Sequence, residues 1–257
     1  MRDTVVALEN VGVTFTAGPA WARRPVHALR DVTLAMGAGE TLGVVGESGS
    51  GKTTLGRLLL GLQAPTSGVA SFLGQPIAHG RAQRRAQLAG RMSVVLQQPE
   101  WALNPRLRLG RSVVEPLAIA GIGTRAQHAA RAVEMLGLVG LGADVMRRFP
   151  HELSGGQRQR VAIARALITE PRFIVFDEAV SALDVSVQVQ ILNLIGELQA
   201  RQGFAALFIS HDLAATRYLC SRIAVMRAGE VVEIGDAARF YARPHHPYSQ
   251  SLWDAAA

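Results

Sequence analysis

Residues 46–53 read GESGSGKT, and this stretch decides the fold. It fits the pattern G-x-x-x-x-G-K-[ST], in which a glycine-rich turn points successive backbone N–H groups at phosphate oxygens. Gly46, Gly49 and Gly51 supply the turn, with Glu47, Ser48 and Ser50 between them. The helix that follows adds the partial positive charge of its N-terminus. Lys52 is placed to reach β- and γ-phosphates, and Thr53, followed by Thr54, to bring a hydroxyl to Mg²⁺. Lys52 is also the single lysine among 27 Lys and Arg residues. A compact ammonium fits between crowded amides and phosphate oxygens where a planar guanidinium does not. A Gly-rich turn with a capping Thr is the plainer alternative.

Working outward, ETLGVVG upstream forms a short apolar strand running into the loop, and KTTLGRLLLGL downstream has helical spacing. Further upstream, TVVALENVGVTF and HALRDVTLAM have the β-branched content of an antiparallel pair, joined by a turn around AGPAWARRP. Between the strand-like RMSVVLQ and RFIVFDE, the Ala-rich RSVVEPLAIAGI and TRAQHAARAVEMLGL predict a helical insertion over about 99–155. The helix-like QRQRVAIARALITE and SVQVQILNLIGELQARQ then alternate with strands FIVFDE and FAALFISHD, as expected of a parallel sheet covered by helices. RAGE is expected to turn the hairpin inside SRIAVMRAGEVVEIG. The expectation is one α/β domain over 1–257, with a short tail from about 240.

Composition narrows the class. A chain of 257 residues, 49% hydrophobic, can bury a sizeable core. One cysteine excludes an internal disulfide and a Cys-rich metal module, which suits a reducing compartment. No apolar run approaches the roughly 20 residues of a membrane span, and MRDTVVALENVG meets Glu9 before any signal-like core develops. The net charge of +7 suits nucleic acid, an anionic membrane surface, or a plain preference for arginine; with no run of four basic residues, nucleic acid is not expected.

Three more stretches carry chemistry. FIVFDE ends an apolar strand in adjacent acids that alternation should point apart: Asp177 toward Mg²⁺, and Glu178 toward an attacking water. Away from a phosphate loop, the same pair reads as a helix cap. LSGGQRQR, residues 153–160, puts Ser154, Gly155, Gly156 and Gln157 before a helix, either as an N-cap or as a second anion site. His211 in FISHD reads on its own as a satisfied turn residue.

Together, Gln97 in VVLQQP, LSGGQ, Asp177 and Glu178, SALD at 181–184 and His211 resemble, in order and along essentially the whole chain, the ATP-binding-cassette ATPases. The resemblance implies a P-loop NTPase core with an N-terminal antiparallel β subdomain and an inserted helical subdomain. It also implies two cassettes facing head to tail, each ATP shared between one P-loop and the other's signature. Ser154 through Gln157 would then meet the γ-phosphate of a partner-bound ATP. Gln97 would touch Mg²⁺ or the water, His211 the γ-phosphate, and Asp184 would organise the dimer interface. Phe15 in VTFTAG stands where the family stacks an aromatic on adenine; core packing is the other reading.

Within the family, ALNPR at 102–106, DEAVSALDVSVQ and HHPYSQSL at 245–252 resemble the ATPases of oligopeptide, dipeptide and nickel importers, with NPR nearer the second of their two unlike ATPases. Gln98 and Ala102 depart from the usual QDP and the usual serine before LNP, and leave peptide, nickel or a metal chelate open as cargo. HHPYSQSL is a Pro-turn with a terminal helix, or a functional tail; metal binding at His245 and His246 is the weakest reading. The implied assembly adds a second ATPase subunit, two permease subunits and, indirectly, a substrate-binding protein, on the cytoplasmic face of the inner membrane. Two rivals fit less well. A soluble cassette ATPase acting on nucleic acid or ribosomes would carry coiled coils, zinc modules or two cassettes, and a kinase or GTPase leaves LSGGQ and His211 unexplained.

Overall fold

The computed structural model describes residues 3–18, 23–78 and 80–255. In chain order the elements are β1 (Thr4–Ala17), β2 (Arg24–Gly37), β3 (Thr41–Val45), α1 (Lys52–Leu59), β4 (Ser67–Phe72), β5 (Gln75–Pro76) and α2 (Arg81–Leu88). Next come β6 (Met92–Leu96), α3 (Leu109–Ala120), α4 (Arg125–Leu138), α5 (Gly155–Leu167), β7 (Phe173–Asp177) and α6 (Val185–Gln202). The last stretch holds β8 (Ala205–Ile209), α7 (Leu213–Leu219), β9 (Arg222–Arg227), β10 (Glu230–Asp236), α8 (Ala237–Ala242) and α9 (Pro247–Asp254). The chain divides into two compact units, 1–87 with 205–257, and 88–204.

In the first unit, β2, β1, β4 and β5 form an antiparallel sheet in that order. The middle of the expected AGPAWARRP turn, residues 19–22, lies outside the described residues. β3 runs parallel to β8 on one side and to β9 on the other, and β10 closes antiparallel on β9. Every residue of β3 and β8 is buried, which is why TLGVV and AALFI read as continuous apolar runs without alternation. RAGE turns as expected: Ala228 (φ 48°) and Gly229 (φ 87°) both take the left-handed conformation that a two-residue type I′ hairpin needs. α1 buries Leu55, Leu58 and Leu59, spaced three and four apart, as one apolar face.

In the second unit, β6 and β7 pair in parallel from Met92↔Phe173 to Leu96↔Asp177. The stretch predicted as a helical insertion contains α3, α4 and three short 3₁₀ turns. Thr124 begins α4 through a reciprocal box with Gln127. Arg165 of α5 reaches Glu115 of α3 at 2.8 Å, and Arg160 donates to the Val139 carbonyl beyond α4 at 2.9 Å. No described helix is long and apolar enough to cross a membrane.

Candidate active site

The P-loop bridges β3 and α1, and its shape is imposed by crowding. Gly46 has φ 147°, and a Cβ there would lie 2.2 Å from the Met226 carbonyl oxygen of β9. Gly51, at the start of α1, has φ 108°, and a Cβ would lie 2.6 Å from the Ala28 carbonyl oxygen. Both positions need glycine for conformation and for space at once. α1 starts on Gly51, a left-handed residue with no side chain of its own to cap the helix.

Lys52 is only 8% exposed. Its Nζ donates to the carbonyls of Gly46 and Glu47, both at 2.7 Å, and lies 3.5 Å from Ser50 Oγ. The loop is tied from outside as well: Gly229 N–H donates to the Ser50 carbonyl at 2.9 Å, and Glu47 N–H donates to the Tyr248 hydroxyl at 3.1 Å. Glu47, Ser48, Gly49 and Thr53 remain exposed.

The same unit carries Phe15 and His211. Phe15 pairs with Val26 across β1 and β2 and keeps 41% of its surface exposed, so its ring is not core. His211 follows β8 at the surface, just before Asp212, whose carboxylate accepts the N–H groups of Ala214 and Ala215 to cap α7.

In the second unit, β7 stops at Asp177, and Glu178 adopts φ 51°. Strand alternation predicts that the two acids diverge; the strand stops at the first, and the left-handed second one turns the chain. For a non-glycine residue that conformation carries a cost of roughly 1 to 3 kcal/mol, and the surroundings hold it. Ser181 donates through Oγ (2.9 Å) and through its N–H (3.2 Å) to the Glu178 carbonyl, and Gln97 Nε2 donates to Ser181 Oγ at 3.1 Å. Ser181 therefore ties Gln97 to the Glu178 backbone.

Ser154 starts α5 with a reciprocal box: its Oγ accepts from Gln157 N–H at 3.3 Å, and Gln157 Oε1 accepts from Ser154 N–H at 3.0 Å. A Cβ at Gly155 would meet nothing within 4 Å, whereas one at Gly156 would lie 2.8 Å from Val187 of α6. Packing explains Gly156 and leaves Gly155 facing open space. Asp184 precedes α6 without capping it through its side chain, and Val185 beside it is 77% exposed.

Residues 29–181 match the protein family described as ABC transporter. The chain belongs to the ABC transporter family. A relative in Brucella abortus (strain 2308), provisionally named a peptide import ATP-binding protein, is 47% identical over 257 residues, spanning 99% of this chain and 77% of the relative. One in Brucella ovis with the same kind of name is 48% identical over 227 residues, spanning 88% and 72%. Among solved structures, the dimeric ATP-binding cassette MJ0796 bound to ADP and Pi superposes with a TM-score of 0.80 at 30% identity, covering 90% of this chain and 98% of that one. A second, cbiO1 from Clostridium perfringens, described as part of the ABC transporter complex cbiONQ, gives 0.81 at 26% identity, covering 94% and 92%. This ABC protein therefore has the P-loop NTPase fold, binds ATP, and hydrolyses it to drive transport.

Two residues of this ABC ATPase escaped the sequence reading. Ser181 lay inside SALD, yet nothing local marked it as the link to Gln97, 84 positions away. Tyr248 lay inside HHPYSQSL, whose chemistry stayed open; its link to the P-loop spans 201 positions.

Proposed function

We propose that this chain is the ATP-hydrolysing subunit of an importer for di- and oligopeptides, working at the cytoplasmic face of the inner membrane. The observation that carries the cargo is the 47% identity, along 99% of the chain, to a relative provisionally named for peptide import. The chain acts as one nucleotide-binding domain, with 99–155 as its helical subdomain and about 240–257 as its tail. It would pair with a second ATPase subunit and two membrane permeases, served by a substrate-binding protein.

Lys52 leaves the loop carbonyls to grip β- and γ-phosphate oxygens, and the bare N-terminus of α1 supplies the N–H donors. Phe15 offers its exposed ring to adenine. The hydroxyl of Thr53, the amide oxygen of Gln97 and the carboxylate of Asp177 are hard oxygen donors of the kind Mg²⁺ takes, and Gln97 already spends its amide nitrogen on Ser181. Bound there, Mg²⁺ would neutralise charge on the phosphate oxygens. Glu178 orients and deprotonates the attacking water, and His211 holds the γ-phosphate. Ser154, Gly155, Gly156 and Gln157 close on ATP seated in the partner's P-loop, and Asp184 lines that interface. The open space over Gly155 suits such an approach.

The test is the complex assembled in vesicles, with ATP hydrolysis and labelled peptide uptake followed together. Glu178→Gln is expected to lower turnover roughly 10²- to 10⁴-fold while ATP binding persists. Full turnover in that variant would remove Glu178 from the role of base, and uptake of Ni²⁺ without peptide would overturn the cargo.

A further inference from the structure

The C-terminal segment is strapped onto the P-loop, and each tie can be traced. Glu233, on β10, accepts the N–H groups of His245 and His246, both at 3.0 Å. His246 then starts α9, its Nδ1 accepting Tyr248 N–H at 3.1 Å, and Gln250 reaches back to the Pro244 carbonyl at 3.0 Å. Farther along α9, Trp253 packs edge-on to Tyr241, whose hydroxyl lies 2.6 Å from Thr216 Oγ1 and donates to the Leu213 carbonyl at 3.1 Å. Tyr248 is buried, and the Arg227 guanidinium lies 4.9 Å from its ring centroid. A tyrosine held this firmly presents its hydroxyl at one place.

That place is the Glu47 N–H. This N–H and the Gly46 carbonyl belong to one peptide group, and the carbonyl accepts Lys52 Nζ at 2.7 Å. Tyr248 and Lys52 thus hold opposite ends of the same planar unit. Gly46 has φ 147° and no side chain, so its own backbone constrains the orientation of that unit less than another residue's would. A hydrogen bond at its N–H end fixes the rotation and polarises the carbonyl toward the ammonium.

We infer that Tyr248 is a positioning residue for nucleotide binding, its hydroxyl locking the Gly46–Glu47 peptide so that the P-loop and Lys52 are set before phosphate arrives. The inference rests on the reading of 46–53 as the nucleotide site. It assigns to HHPYSQSL a task that its sequence alone leaves open. Tyr248 touches no reacting atom; it acts through the loop.

The experiment compares wild type with Tyr248→Phe in the full chain, measuring MgADP affinity by titration calorimetry and nucleotide-free melting by calorimetry. Phe keeps the ring under Arg227 and removes only the hydroxyl. The expected result is a weakening of MgADP binding by roughly fivefold, the worth of one neutral hydrogen bond, with the nucleotide-free melting temperature lowered by no more than about 4 °C. In the assembled transporter the same variant should raise KM for ATP by a similar factor and leave kcat within about twofold. Equal affinity in the two proteins would overturn the inference, as would a fall in kcat with KM unchanged. A wild-type chain that binds no MgADP would overturn the P-loop reading itself.

Discussion

Two helix starts in this ABC ATPase are built in opposite ways. α5 closes its own end: Ser154 and Gln157, three residues apart, satisfy each other's N–H groups. α1 starts on a left-handed glycine with no capping side chain. Its loop is instead held by residues far along the chain: Met226 crowds Gly46, Gly229 ties Ser50 and Tyr248 ties Glu47. A helix start that caps itself spends donors that a ligand would otherwise use. The difference suits the roles proposed for them, a loop that would grip a whole polyphosphate and a signature that would only complete a site.

The comparison breaks most easily at Lys52, whose ammonium donates to two of the loop's own carbonyls where, on the proposed function, phosphate oxygens would take their place. Lys52→Ala should weaken MgATP binding roughly 100-fold, since charge-assisted hydrogen bonds are worth about 1.5 to 3 kcal/mol each. Lys52→Arg keeps the charge and should still lose about tenfold or more, because a planar fork does not fit where Nζ reaches two carbonyls at 2.7 Å. Titration with a fluorescent ATP analogue measures both. Wild-type affinity in Lys52→Arg would refute the steric account of the chain's single lysine.

The same contrast separates what could be read in the sequence from what could not. Strand β3, the loop, α1, β7 and the α5 start declare themselves within ten residues, through apolar runs, glycine spacing and capping chemistry. The hairpin turn at Ala228–Gly229 was equally legible from RAGE, though not its type. The left-handed Glu178 was hidden, because nothing in FIVFDE shows that the strand ends one residue before it. Ser181 bridging to Gln97 and Tyr248 reaching Glu47 were hidden for another reason: each joins elements whose proximity exists only after the sheet has assembled. Short β4 and β5, with mostly exposed residues, offered too little periodicity to be read at all.

A smaller effect tests the self-capped side. Ser154→Ala removes one acceptor from the α5 start and should cost about 1 kcal/mol of stability, a melting shift of about 2 to 4 °C. MgADP affinity at the chain's own P-loop should stay within about twofold, because ADP has no γ-phosphate for the signature to meet; hydrolysis by the assembled pair should fall. A large loss of MgADP affinity in the lone chain would mean that the two helix starts are not independent.

The smallest effect is remote from both loops and reaches only one of them. Burial alone would raise the Glu233 carboxyl, but the Ser249 hydroxyl beside it, then the N–H groups of His245 and His246 and the charge of His245, outweigh it and hold the carboxyl below the ordinary range. A carboxyl lowered in the folded state contributes stability above its unfolded value of about 4.3, and that contribution fades as pH falls through the folded value. Wild type should therefore exceed Glu233→Gln in urea stability near neutral pH by less than about 1 kcal/mol, since solvent screens a group this open. The gap should shrink steadily below about pH 4. If the strap serves the P-loop, Glu233→Gln should also weaken MgADP binding at neutral pH, by less than Tyr248→Phe does, while the α5 start shows no change in amide hydrogen exchange. Faster exchange at Gln157 in that variant would show the strap steadying the whole chain instead of the one loop that cannot cap itself.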